Sequence, residues 1–235
     1  MNIIKGILIS AIALSTTICA AQEVHQKSVR REASPTYGKR RKVQRNIPLV
    51  NRNFTHLEAG MAVMTIPNLL NDAEFGLHFG LTRACNLTNG NKPFFLQFGI
   101  EYNAVSNTAN ENGAVWTEEL SNVALPVTLL YRSELSSDVL MDIFFGPSFR
   151  FNCKGERKSG GEYVDYFEDL CAQGFQFGLN VGLSFKFSHV SVNYRFNPDL
   201  SDYFDAEQMS REHDNYNSKA QSKTHYHFLS LGYTF

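Results

Sequence analysis

Phe175-Gln176-Phe177-Gly178-Leu179-Asn180-Val181-Gly182-Leu183-Ser184-Phe185-Lys186-Phe187 alternates bulky apolar residues with small or polar ones without a fault. Successive side chains of a β-strand point to opposite faces, so this segment has one apolar and one polar face. It is also long enough to cross a bilayer as a tilted strand, which takes about 9–11 residues.

The same period extends in both directions. It predicts strands at about 54–66, 73–85, 93–105, 118–132, 139–151, 171–187, 190–197 and 226–235. Each has one aromatic or aliphatic face: Leu57, Ala59, Met61 and Val63 in the first, Leu229, Leu231, Tyr233 and Phe235 in the last. The opposite faces carry Gly, Asn, Gln, Ser and Thr with scattered charges. A soluble barrel turns its apolar face inward and its charged face to water. Here the polar face is too poor in Lys for a solvated exterior. It suits a packed interior, and the bulky face suits lipid. The expected fold is all-β: an eight-stranded antiparallel up-and-down transmembrane β-barrel.

The spacers support this. Asn86–Lys92, Ser133–Asp138 and Ser188–His189 are short, whereas Asn103–Thr117, Lys154–Leu170 and Asp199–Lys223 are long and polar. Outer-membrane barrels keep short turns in the periplasm and long loops outside. Pro67–Asp72 is short where a long loop would fit. With 19 Phe and 10 Tyr the chain is aromatic-rich, but nowhere does it offer the ~20 apolar residues of a membrane helix.

The N-terminus reads as an export signal: Lys5, an apolar run from Gly6 to Ile18, then Cys19-Ala20-Ala21 before a cut at Gln22. Residues 22–52 carry nine Lys/Arg against Glu23 and Glu32, a net of +7 inside a chain of net charge −1. This stretch has no apolar periodicity and reads as a basic disordered periplasmic arm, with an acidic periplasmic partner as its functional alternative. The barrel then occupies residues 53–235. Expected partners are membrane lipid and lipopolysaccharide and the outer-membrane assembly machinery. No nucleic acid partner is expected, and the barrel reads as a monomer.

After cleavage Cys85, Cys153 and Cys171 remain. Cys153 and Cys171 fall at the facing ends of two predicted strands and bracket 17 residues. Export permits a disulfide there, and by the loop-entropy argument it would contribute about 3 kcal/mol. Glu58, His78, Glu101, Asp142, Arg150, Lys186 and Arg195 fall on the inward face. Buried charges need partners, so they read as a structural polar network in the barrel interior. His225 and His227 share a face, but no third ligand accompanies them and no metal is expected. His213, Asp214 and Ser222 in the last long loop form no motif that orients a nucleophile and a base. No cofactor and no enzymatic activity are expected. Phe235, with Tyr233, reads as an assembly signal on the strand that closes the sheet.

Four segments resemble the PorT-like outer-membrane β-barrel proteins of Bacteroidota. They are Asn122-Val123-Ala124-Leu125-Pro126-Val127-Thr128-Leu129-Leu130-Tyr131-Arg132, Phe144-Phe145-Gly146-Pro147-Ser148-Phe149, Phe177-Gly178-Leu179-Asn180-Val181-Gly182 and Leu231-Gly232-Tyr233-Thr234-Phe235. The resemblance runs over residues 54–235, and the order of the segments carries it. It implies the barrel and the membrane, and little about activity. The basic arm and the cysteine pair depart from the family's pattern. The expected role is structural or surface-interacting. A narrow porin-like channel, a secretion-accessory barrel and a lipid-modifying enzyme are the alternatives.

Overall fold

The structure is a computed structural model that describes residues 49–65, 73–88, 90–111, 114–205 and 222–235. The expected signal peptide, nearly all of the basic arm and residues 206–221 of the last long loop lie outside the described residues.

A short 3-10 turn at Leu49–Asn51 leads into β1 (Phe54–Thr65). There follow β2 (Glu74–Asn86), β3 (Phe94–Glu111), β4 (Ala114–Ser136), β5 (Val139–Ser159), the short β6 (Glu162–Asp165), β7 (Phe175–Phe187), β8 (Val190–Pro198) and β9 (His225–Thr234). Each long strand pairs antiparallel with its neighbours, β4 joins β5, and β1 joins β9, so the sheet closes on eight staves. The sixth strand is an extra edge on β5.

The register measures the closure. From Met141 the partners run Phe185, Val192, Leu231, Ala59, Phe79, Tyr102 and Val123, returning to β5 at Phe151, ten residues further along. A ten-residue stagger round eight strands corresponds to a tilt of roughly 40°, taking ~3.3 Å per residue and ~4.8 Å between strands. Every residue on that path faces outward. It runs through an apolar belt that includes Leu57, Met61, Leu77, Phe79, Leu129, Phe145, Leu229 and Leu231, all exposed. So much exposed apolar surface is stable only against lipid.

Two strand ends differ from expectation. β3 and β4 pair as far as Glu111 and Ala114, and β4 pairs with β5 up to Lys158. Residues 106–111 and 114–117, expected as loop, are therefore strand. Ser106, Asn107 and Thr108 follow one another there, and Val115-Trp116 puts two apolar residues in succession, so the period-two signal vanishes although the ladder continues. Together β3, β4, β5 and β6 form a four-stranded sheet rising past the belt. β2 accompanies β3 only to Ser106.

The interior is stacked in three levels. Phe54, Ala84, Phe95, Leu130 and Phe144 form an apolar floor at the short-turn end. Ala62, Met64, Val105, Leu120, Tyr226 and Phe228 form an apolar layer at the long-loop end, covered by Tyr166, Cys171, Tyr203 and Phe204. The charges lie between.

Candidate functional site in the barrel lumen

All seven residues expected to face inward are buried, at 4% exposure or less. The alternation places them, and the tilt then sorts them into three groups.

The central group joins Glu58, His78, Glu101 and Arg195. Arg195 forms ion pairs with both Glu58 and Glu101. His78 Nε2 lies 3.4 Å from Glu58 and 3.4 Å from Arg195 Nη2, and its Nδ1 meets Asn103 Oδ1 at 2.7 Å. Ser230 Oγ and Asn193 Nδ2 donate to Glu58 at 2.8 and 3.1 Å. His56 Nε2 stands 3.8 Å from Glu58.

The lower group holds Asp142 and Lys186, 4.0 Å apart. Arg132 makes the stronger contact, a two-pronged pair to Asp142 with both bonds at 2.6 Å. The Arg132 guanidinium also lies 4.0 Å from the Phe54 ring centre, and Lys186 Nζ lies 4.2 Å from it on the same residue. The aromatic floor thus provides cation–π partners for two buried cations.

The upper group is Arg150 with Asp199, to which Thr224 also donates. Arg150 lies 4.0 Å from the centre of the Tyr226 ring.

Arg132, Asp199, His56, Asn193 and Glu74 also belong to the interior and were not singled out in the sequence. Arg132 and His56 had a signal, since each shares the parity of inward residues in its strand. Asp199 follows the end of β8, where the alternation has already stopped.

The packing leaves a small cavity bounded by His56, Glu58, Thr82, Gln97, Asp142 and Lys186, with about 20 Å³ open to a water centre. That volume accommodates about one or two waters. Eight staves leave an interior just wide enough for side chains to fill, and here they fill it.

The expected Cys153–Cys171 disulfide is not formed. β5 does not end at Cys153 but continues to Ser159 before the chain turns back. Cys153 is the extra residue of a bulge, since Ser121 pairs with Lys154 while Asn122 pairs with Asn152. It is exposed, its Sγ contacting Phe151 O at 3.4 Å, whereas Cys171 is buried in the cap. The two thiols lie on different sides of the barrel wall.

His227 stacks on Phe196 at 4.8 Å and bonds Tyr194 through Nδ1 at 2.9 Å. His225 lies 6.0 Å from the same Phe196 ring, so both histidines belong to an aromatic cluster on the outer wall. Among the described residues no group of three or more His, Cys, Asp or Glu is arranged to hold a metal ion. Ser222 Oγ accepts from Phe204 N–H at 3.0 Å, while His213 and Asp214 lie outside the described residues. Phe235 N–H donates to Thr55 O at 2.9 Å, extending the closing seam, and its ring packs edge-on against Tyr233 at 4.9 Å.

Residues 48–205 match the family model of the outer membrane protein beta-barrel domain. Similar solved structures include Neisserial surface protein A, at 11% identity and TM-score 0.45, covering 78% of this chain and 97% of that one. Ail, the attachment invasion locus protein of Yersinia pestis, matches at 11% identity and TM-score 0.43, over 78% and 99% of the two chains. OprG of Pseudomonas aeruginosa matches at 11% identity and TM-score 0.38, over 79% and 97%. No curated protein matches the chain. The family match spans well over half the chain and falls on a closed eight-stranded antiparallel barrel: the chain belongs to the outer membrane protein beta-barrel domain family and resides in the bacterial outer membrane.

Proposed function

We propose that this protein is a non-conducting, non-enzymatic outer-membrane barrel that serves as a platform for surface interaction. The observation that carries the reading is the filled lumen. Three ion-pair groups sit between apolar layers at both ends, with room for about one or two waters between them. The buried acids and bases are held by one another and lack an open approach for a substrate. What remains available is the sheet of β3 to β6 beyond the belt. Among the described residues, the upper half of β3 has no strand on its β2 side, and β6 pairs only with β5. Unpaired edges of this kind accept extended peptide segments by strand addition. Within the family, the order of the strand motifs supports a PorT-like member.

Planar-bilayer recording tests the reading. Correctly inserted barrel, verified by heat-modifiable gel migration, should give no unitary conductance steps. Stable steps would favour the narrow channel instead. Deuterium exchange of cell-surface protein, with and without host or neighbouring-cell surface extracts, should protect residues 107–111 or 162–165 if the edges are the contact.

A further inference from the structure

The long-loop mouth holds a buried carboxyl pair under a cap. On β2 the apolar belt begins at Phe75, so Glu74, the first residue of that strand, lies just above it. Glu74 is fully buried, one rung beyond the Phe75–Ser106 pair and so level with Asn107, the partner of Glu118; the two buried carboxyls face the mouth from strands two apart. Neither oxygen of Glu74 meets an N–H or hydroxyl donor among the described residues. Glu118 in turn accepts from the Tyr166 hydroxyl at 2.6 Å. Two neighbouring carboxylates in a dry site cannot both be ionised, so the pair holds a proton. Burial first, and Glu118 second, push the Glu74 carboxyl up to about 9.

Tyr166 is the centre of the cap. Its N–H donates to Gly155 O at 2.9 Å, and its carbonyl accepts from Ala172 N–H at 2.7 Å. Its ring meets Phe204 edge-on at 5.9 Å, and Asp205 N–H donates to Cys171 O at 3.0 Å. Beneath the cap lies the apolar layer of Ala62, Met64, Val105, Leu120 and Phe228. Among the described residues, the other charged or titratable groups about the pair are Arg157 of β5, 3.6 Å from Glu118, Asp165 at the end of β6, Tyr203 and Tyr226, with Arg150 below. Arg157 also lies 4.2 Å from the Trp116 ring centre and serves Glu118 from the outer side.

We infer that Glu74 and Glu118 form a shared-proton latch that, through Tyr166, holds residues 162–172 over the outer mouth. Loss of the shared proton to a solvent base leaves two neighbouring carboxylates both ionised, breaks the seat of Tyr166 and exposes the apolar layer beneath. The device is a mouth cap over an apolar floor. It does not gate conduction, because the Arg150–Asp199 pair still closes the lumen below it.

Cys171 sits inside the cap and reports on it. In a Cys153→Ser background, its maleimide labelling rate in micelles, read on the Cys171 peptide by mass spectrometry so that Cys85 is not counted, is measured from pH 6.5 to 10.5 and divided by the rate in denatured chain at the same pH. Protection should hold at neutral pH and fall at least tenfold above about pH 9. Glu74→Gln cannot ionise, so its protection should stay flat over the range. Tyr166→Phe should label at least fivefold faster at all pH values. Heat-modifiable migration confirms that each variant is folded. Flat protection in the parent chain, or an equal fall in Glu74→Gln, overturns the latch.

Discussion

Arg195 and Glu101 stand on opposite walls of the barrel, β8 and β3 being four staves apart in either direction, and still form an ion pair. One arginine therefore spans the lumen. It also holds Glu58, so it balances two buried carboxylates at once. Arg195→Ala leaves both without their cation, and removing one partner from a buried pair costs about 3–5 kcal/mol. Urea-gradient unfolding followed by heat-modifiable migration should show a loss of that size. The combined Glu58→Gln, Glu101→Gln and Arg195→Met chain should recover most of it. A loss under about 1 kcal/mol in Arg195→Ala would mean that water enters freely and the lumen is not sealed.

Parity along the strands was enough to place Glu58, His78, Glu101, Asp142, Arg150, Lys186 and Arg195 inside the barrel. It could not show which would meet. Partnership across a barrel depends on stagger, and Arg195 meets Glu101 only because ten residues of shear bring their rungs level. Phe94-Phe95 and Phe144-Phe145 hid a second feature. In each pair one ring faces lipid and the other joins the floor, so the apolar ends of the lumen were masked by residues alike on both faces. The cap over the mouth was illegible for another reason. Tyr166, Cys171 and Phe204 lie in segments without period, and only folding brings them together. The cysteine pair misled because strand ends were placed where apolar alternation stops, while β5 runs on through a bulge.

Glycine on the inward face marks places where the wall itself is crowded. A Cβ on Gly76 would overlap the backbone of Ala104 and Val105 on β3, which cannot swing aside. A Cβ on Gly174 would meet nothing within 4 Å. Gly76→Ala should therefore destabilise the barrel by about 1–3 kcal/mol, as overpacking does. Gly174→Ala should stay within about 0.5 kcal/mol of the parent. Equilibrium unfolding in urea separates the two.

Above the belt, Glu156 is held between Lys154 and Lys158. Their ammonium groups lower its carboxyl to about 2. A depressed acid contributes stability above its unfolded pKa of about 4.3, and the contribution fades as pH falls toward the folded value. The β5–β6 hairpin should thus loosen between about pH 4.5 and 2, while the barrel below it stays intact. Both lysines are half exposed, so the effect belongs in the range of about 0.2–1 kcal/mol. Proteolytic nicking near Ser159 at graded acid pH, compared with Glu156→Gln at the same pH, checks it. The glutamine variant should be nicked readily at neutral pH and show little further change on acidification.

Phe235 closes the seam from both sides. Its N–H donates to Thr55 O at 2.9 Å, and its carbonyl accepts from Thr55 N–H at 3.4 Å. Its ring is 70% exposed on the outer wall and rests on Tyr233. The backbone bonds need no particular side chain, whereas recognition of the strand by an assembly factor would need the ring. Phe235→Ala separates these contributions. In refolding from urea into detergent, Phe235→Ala should match the parent chain within about 0.5 kcal/mol, as exposed substitutions do. In cells the same variant should cross the inner membrane normally, yet accumulate severalfold in the periplasm at the expense of the heat-modifiable outer-membrane form. If it inserts in cells as fast as the parent, Phe235 contributes to the seam alone and the assembly role fails. If it refolds poorly in detergent as well, the ring holds the β1–β9 closure directly and the defect in cells follows from stability.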